Sequence, residues 1–274
     1  MPQSVLMCPP TYYDIGEVKN PHMQGSRIDR QKAEQQWLAV GDAFRAAGLT
    51  LHTVEPVPGL EDMVFAANQV FVGSHPKLGR FIVPSEMRHP SRQKEVPFYV
   101  EWFCSRNYRV IPLNLRGECL EGHGDLIWHP GGAKIWAGYG FRSTANALKM
   151  LSAAMRELGF AVIPLHLADE HFYHLDTCFC PLNREAVLLY PAAFTADALE
   201  TLRSSWSRIH ELTRAEALAF LANGAVANGR YIVSGLTANL ERILGQEGLR
   251  PVRVDTSEFE KSGGSVFCLK TFLD

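Results

Sequence analysis

Amphipathic segments, caps and short apolar runs follow one another along this chain in a repeated order. Over residues 34–47 the apolar positions recur at helical spacing, Gly48 follows, and Leu49-Thr50-Leu51-His52-Thr53-Val54 reads as a strand. Glycine just past the last periodic residue is a common helix stop, because it accepts the left-handed backbone that ends a helix. Residues 99–106 repeat the theme briefly, with Asn107 as cap and 108–113 as strand. Residues 146–158 lead through Gly159 to a strand at 160–165. Residues 197–205 lead more weakly to 208–212, and 238–247 lead through Gly248 to 249–254. Each strand then enters a polar turn and a second apolar run: Met63-Val64-Phe65-Ala66, Asp125-Leu126-Ile127-Trp128, Thr177-Cys178-Phe179-Cys180, Gly224-Ala225-Val226-Ala227 and Ser265-Val266-Phe267-Cys268. Five such units, spaced by roughly 45–60 residues, form an internal repeat. They predict an α/β fold whose five sheet-and-helix units close radially, leaving no long open edge. Residues 1–30 look irregular, broken by Cys8-Pro9-Pro10 and a turn at Asn20-Pro21. With no linker, low-complexity tract or charge block, residues 1–274 read as a single domain.

Composition narrows the function classes. A chain of 274 residues, 46% hydrophobic, is long enough to bury a large core. A net charge of −2 gives no electrostatic case for nucleic acid or an acidic membrane surface. No apolar run approaches the ~18 residues of a membrane span. The opening Met1-Pro2-Gln3-Ser4-Val5 does not read as a secretory signal, so a cytoplasmic protein is expected. The six cysteines, Cys8, Cys104, Cys119, Cys178, Cys180 and Cys268, lack a framework spacing and read as reduced thiols.

Candidate chemistry collects in the polar turns. Lys261-Ser262-Gly263-Gly264-Ser265-Val266-Phe267-Cys268 places a thiol after two glycines, on what is expected to be a strand edge beside a mobile loop. The other turns carry Glu61-Asp62 through Asn68, Glu121-Gly122-His123-Gly124-Asp125, and Tyr173-His174-Leu175-Asp176. If the turns meet at one axis, several carboxylates, a histidine and a thiol share a centre, and such a cluster calls for a cation. Taken singly, Asp62 and Asp176 could be turn formers and His174 a structural histidine. Cys178-Phe179-Cys180 lacks the usual zinc spacing; on a strand His174, Asp176, Cys178 and Cys180 would face one way. A thiol protease fits poorly, since carboxylates favour a cationic substrate over a neutral carbonyl.

These stretches, with Gly138-Tyr139-Gly140-Phe141-Arg142-Ser143, resemble the guanidino-group-modifying superfamily of dimethylargininases, arginine deiminases, arginine dihydrolases and amidinotransferases. The resemblance implies a five-fold pseudosymmetric α/β-propeller, the pentein fold, in agreement with the repeat count. It implies Cys268 as nucleophile, His174 as acid and base, and Glu121 as its orienting partner. Asp62 and Asp176 would hold the guanidinium N–H groups, and Arg92 and Arg142 would grip the substrate's α-carboxylate. Ala67-Asn68 stands where dimethylargininases have Glu-Asp; Asn68, with Asn20-Pro21, looks more like the bacterial arginine dihydrolases. The expected reaction is hydrolysis of guanidino C–N bonds through a covalent thiouronium intermediate, without metal or organic cofactor. The expected partner is a small guanidino compound, and a homo-oligomer is compatible with it. Dimethylargininase, amidinotransferase and a non-catalytic guanidine-binding protein are the alternatives.

Overall fold

The computed structural model of the chain describes residues 2–273. It contains five three-stranded sheets in chain order. In each, two strands pair antiparallel, a helix follows, and a third strand returns parallel to the central one. The first sheet holds Thr271–Phe272, Ser4–Met7 and Thr50–Thr53, with helix α1 (Arg30–Ala46) in the crossover. The second holds Val70–His75, Gly79–Pro84 and Arg109–Val110, with α2 (Val96–Cys104). The third holds Leu126–Trp128, Lys134–Tyr139 and Ala161–His166, with α3 (Ala145–Glu157). The fourth holds Phe179–Pro181, Ala186–Leu189 and Arg208–Glu211, with α4 (Ala196–Ser205). The fifth holds Ala225–Ala227, Arg230–Val233 and Arg250–Arg253, with α5 (Ala238–Gln246).

The core is divided as the sheets are. Five apolar clusters each fill the space between two neighbouring sheets, and each takes in one of these five helices. Successive side chains of a strand point to opposite faces, so every central strand feeds two clusters. Val5 and Met7 face the fifth sheet while Leu6 faces the second. Ile135 and Ala137 pack against the second sheet while Trp136 packs against the fourth. The last cluster joins Ala225 and Ile232 of the fifth sheet to Val5 and Met7 of the first, and so closes the ring.

The expected caps all adopt the left-handed conformation, with φ of 86° at Gly48, 62° at Asn107, 77° at Gly159 and 68° at Gly248. Helix α1 begins at Arg30, earlier than expected, because Asp29 caps it by accepting the Lys32 N–H at 3.0 Å. Two apolar runs are not strands. Glu61–Val64 is a 3-10 turn, and the innermost strand of the second sheet starts later, at Val70. Residues 265–268 form a turn before Thr271–Phe272 because the Ser265 and Cys268 N–H groups bond the Asn223 side chain at 2.9 and 3.4 Å, not a neighbouring strand. Cys268 therefore sits in a held turn, not on a strand edge.

Candidate active site

The turn that precedes each innermost strand brings polar side chains to one end of the ring. These are Asp62 and Asn68, then Glu121, then His174 and Asp176, then Asn223, and last Cys268. Asn20, Asp62, Asn68, Arg92, Arg142, His174 and Cys268 line a small pocket with a cavity volume of about 20 Å³. Glu121 and Asp176 stand one layer behind, bonded to His174 and Cys268.

At the sulfur end, Cys268 Sγ donates to Asp176 Oδ2 at 3.0 Å and receives the Asn223 amide at 3.3 Å. Burial, with the Asp176 charge added, pushes the thiol well above its ordinary range. Burial also pushes Asp176 up to about 7. The thiol therefore keeps its proton and directs it at the Asp176 carboxylate. The Gly263-Gly264 pair has two separate reasons: Gly263 has φ of 80°, and a Cβ on Gly264 would lie 2.7 Å from the Phe65 ring.

At the histidine end, His174 Nε2 and Glu121 Oε2 are 2.7 Å apart. Glu121 also accepts Arg142 Nη1 at 3.2 Å and the Arg88 N–H at 2.9 Å. Burial opposes its charge, but Arg142 and His174 prevail and hold its carboxyl well below the usual carboxylate range. An ionised Glu121 accepts the hydrogen bond of the Nε2–H and leaves Nδ1 as the acceptor of the neutral ring. Asp125 supports this turn by accepting the Leu175 N–H at 3.2 Å and the Ser143 hydroxyl at 2.6 Å. The glycine at 124 is required by contact: a Cβ there would meet Asn68 Nδ2 at 2.3 Å and His174 Nδ1 at 3.1 Å.

The far end is cationic. Arg92 binds Glu95 through Nε at 3.2 Å and Nη2 at 3.1 Å, and reaches Asn68 Oδ1 through Nη1 at 3.1 Å. Most of its donors are therefore spent inside the protein, which the expected carboxylate grip did not anticipate. Lys19, also unforeseen, pairs with Asp62 Oδ2 at 3.0 Å. Asn20 uses its amide on the Ser262 carbonyl at 2.9 Å and the His22 N–H at 3.0 Å, so it shapes the wall. Cys178 and Cys180 do not join the histidine on one face: Leu175–Thr177 is a 3-10 turn, and the two thiols pack into separate apolar clusters. Among the described residues no group of three His, Cys, Asp or Glu side chains could hold a metal ion.

Buried polar atoms without a partner mark where a ligand would be held. Among the described residues six side-chain atoms are in that state, and Asp62 Oδ1, Asp176 Oδ1 and Asn68 Nδ2 are three of them. Two acceptors and one donor therefore stand open in one site. The Asn68 orientation is fixed, because its oxygen must face the Arg92 guanidinium.

The family described as N,N dimethylarginine dimethylhydrolase, eukaryotic, matches residues 13–271. The chain belongs to this family. The chain is 34% identical over 271 residues to a bifunctional arginine dihydrolase/ornithine cyclodeaminase of Synechocystis, covering 97% of this chain and 37% of that protein. It therefore spans little more than a third of the length of the cyanobacterial relatives it matches. It is also 34% identical over 264 residues to an N(G),N(G)-dimethylarginine dimethylaminohydrolase of Mycobacterium tuberculosis, covering 96% of this chain and 83% of that one. Among solved structures, the substrate-bound N-terminal domain of ArgZ, a cyanobacterial arginine dihydrolase, superposes with a TM-score of 0.92 at 31% identity, covering 98% and 97% of the two chains. The same ArgZ domain has been solved covalently bound to a reaction intermediate. The family and the five sheets together make the fold a pentein propeller. Among the described residues no helix is long and apolar enough to cross a membrane.

Asn223 escaped sequence reading because the fourth unit looked purely apolar. Its Asn-Gly dipeptide, at the place where the other units carry polar turns, was the available signal.

Proposed function

We propose that residues 1–274 form one domain that hydrolyses both terminal guanidino C–N bonds of arginine, giving ornithine, ammonia and carbon dioxide. The observation that carries this reading is the open Asn68 Nδ2 beside the His174 ring. A guanidinium has only N–H donors, and a second donor offers it nothing. A ureido oxygen is an acceptor and fits that donor. The open carboxylate oxygens of Asp62 and Asp176 suit the guanidinium, so one site serves arginine first and citrulline next.

In this reading the arriving cation favours the charged forms of Cys268 and Asp176, the thiol proton passes to His174 Nδ1, and the thiolate attacks the guanidino carbon. The C–N bond breaks as His174 protonates the leaving nitrogen, and a thiouronium-type adduct remains. Water then gives a proton back to His174, attacks the same carbon and frees the sulfur. Citrulline, held by Asn68, undergoes a second attack. A second ammonia leaves, and hydrolysis of the resulting thiocarbamate gives a carbamate that falls apart to ornithine and carbon dioxide. Arg142 and the remaining donors of Arg92 would bind the α-carboxylate. The free cysteines support a reducing, cytoplasmic setting, with a free small molecule as substrate.

The family description and the mycobacterial relative favour a second reading, dimethylargininase. Mass analysis after incubation with arginine and with dimethylarginine separates the two. Arginine should yield ornithine with little citrulline released, Asn68→Asp should stop at citrulline, and Cys268→Ser should abolish turnover in a folded protein. Release of dimethylamine with arginine untouched would replace the first reading by the second.

A further inference from the structure

The fourth inner turn supplies one polar side chain to the centre, and it is fully buried. Asn223 Oδ1 accepts the N–H groups of Ser265 at 2.9 Å and of Cys268 at 3.4 Å. Its Nδ2 donates to the Asp176 carbonyl at 2.9 Å and to Cys268 Sγ at 3.3 Å. Its own carbonyl accepts the Phe267 N–H at 2.8 Å. Turning the amide over would set its oxygen against a carbonyl and its N–H groups against two backbone N–H groups, so one orientation is allowed. The N–H aimed at the sulfur is thus fixed by bonds that do not involve the sulfur. The turn behind it is constrained as well: Phe220 has φ of 57°, unusual for a bulky residue, and accepts the Asn223 N–H at 2.9 Å.

We propose that Asn223 holds Cys268 as a thiolate, its amide N–H bonding the sulfur once the proton has left. This rests on the nucleophilic role proposed above for Cys268. The two side chains bonded to the sulfur have opposite effects. Asp176 accepts the thiol proton and repels the anion that follows, whereas the Asn223 donor strengthens its bond as sulfur gains charge. Without it, only the Ser265 backbone would remain to favour a thiolate buried beside a carboxylate. In the free protein the proton passes to solvent base, and no other bond changes. The ionisable groups that face the sulfur are Asp176 and Tyr173, Lys270 two residues on, and His174 and Asp62 across the pocket. None of them is itself altered by a substitution at Asn223.

The test is the pH dependence of Cys268 alkylation by iodoacetamide in the full chain, with the Cys268 peptide read by mass so that Cys104 and Cys119 do not contribute. Asn223→Ala and Asn223→Asp should raise the midpoint by about one pH unit or more, a tenfold loss of thiolate at fixed pH. Turnover should fall by a like factor near neutrality and recover in part at alkaline pH. An unmoved midpoint in a variant that melts like the wild type overturns the proposal. Should neither variant fold, wild-type protein labelled with ¹⁵N-asparagine gives a second reading. The side-chain amide resonance that shifts in Cys268→Ser should move with the thiol midpoint, and a resonance that stays still while the thiol ionises overturns the proposal equally. Both measurements are independent of turnover, so an inactive substrate or a silent Cys268→Ser variant would count against the proposed reaction and not against Asn223.

Discussion

Asp176 meets two opposed demands, and its protonation shows which one the fold tolerates. Its folded value of about 7 lies above the ordinary 3.8 because burial disfavours the charge. Between those two pH values the native state binds more protons than the unfolded state, so stability falls as pH rises through the window. Asp176→Asn should therefore melt above the wild type at pH ~8 and converge with it as pH falls toward ~4, while turnover is lost. Thermal melts across that range check it, and a variant that melts lower at pH ~8 would contradict the assignment. Cys268, His174 and Glu121 were legible because their residue types and motif order carry chemistry on their face. Lys19 was not, since its pairing with Asp62 links an irregular stretch to a turn of another unit, and no periodicity records such a contact. Glu95 was hidden for a similar reason: its two bonds to Arg92 occur in a short connection before α2.

At the scale of elements, amphipathic helices and their caps announced themselves, whereas the central strands did not. Ser4–Met7, Ala186–Leu189 and Arg230–Val233 are buried on both faces, so they show no alternation and read as brief apolar runs of no defined type. The innermost strands were placed well where the apolar run follows the turn, as at Leu126–Trp128, and misplaced where it lies within the turn, as at Met63-Val64-Phe65-Ala66. Burial on both faces has an energetic corollary. Trp136 is fully buried and stacks on Trp206 with ring centroids 5.4 Å apart. Trp136→Ala should cost ~3–5 kcal/mol, read from the denaturant midpoint. Lys134, exposed at the start of the same strand, should tolerate alanine within ~0.5 kcal/mol.

For the whole molecule, the strand that closes the ring comes from the far end of the chain. Thr271–Phe272 pairs with Ser4–Met7, Val5 opposite Phe272, only a few residues beyond Cys268. Covalent order and spatial order are therefore separable here: the molecule is a loop in space that has been cut open at one point. A circular permutant, joined by a short peptide between the present ends and reopened between the exposed Arg116 and Gly117, would carry the same five sheets with a different starting residue. Such a permutant should fold, bind and turn over substrate within about tenfold of the parent, whereas deleting residues 270–274 should unseat the first sheet and silence a sulfur that the deletion leaves in the chain. Activity assays on the two proteins side by side distinguish a ring that merely happens to end near its nucleophile from one whose clasp holds the nucleophile in place.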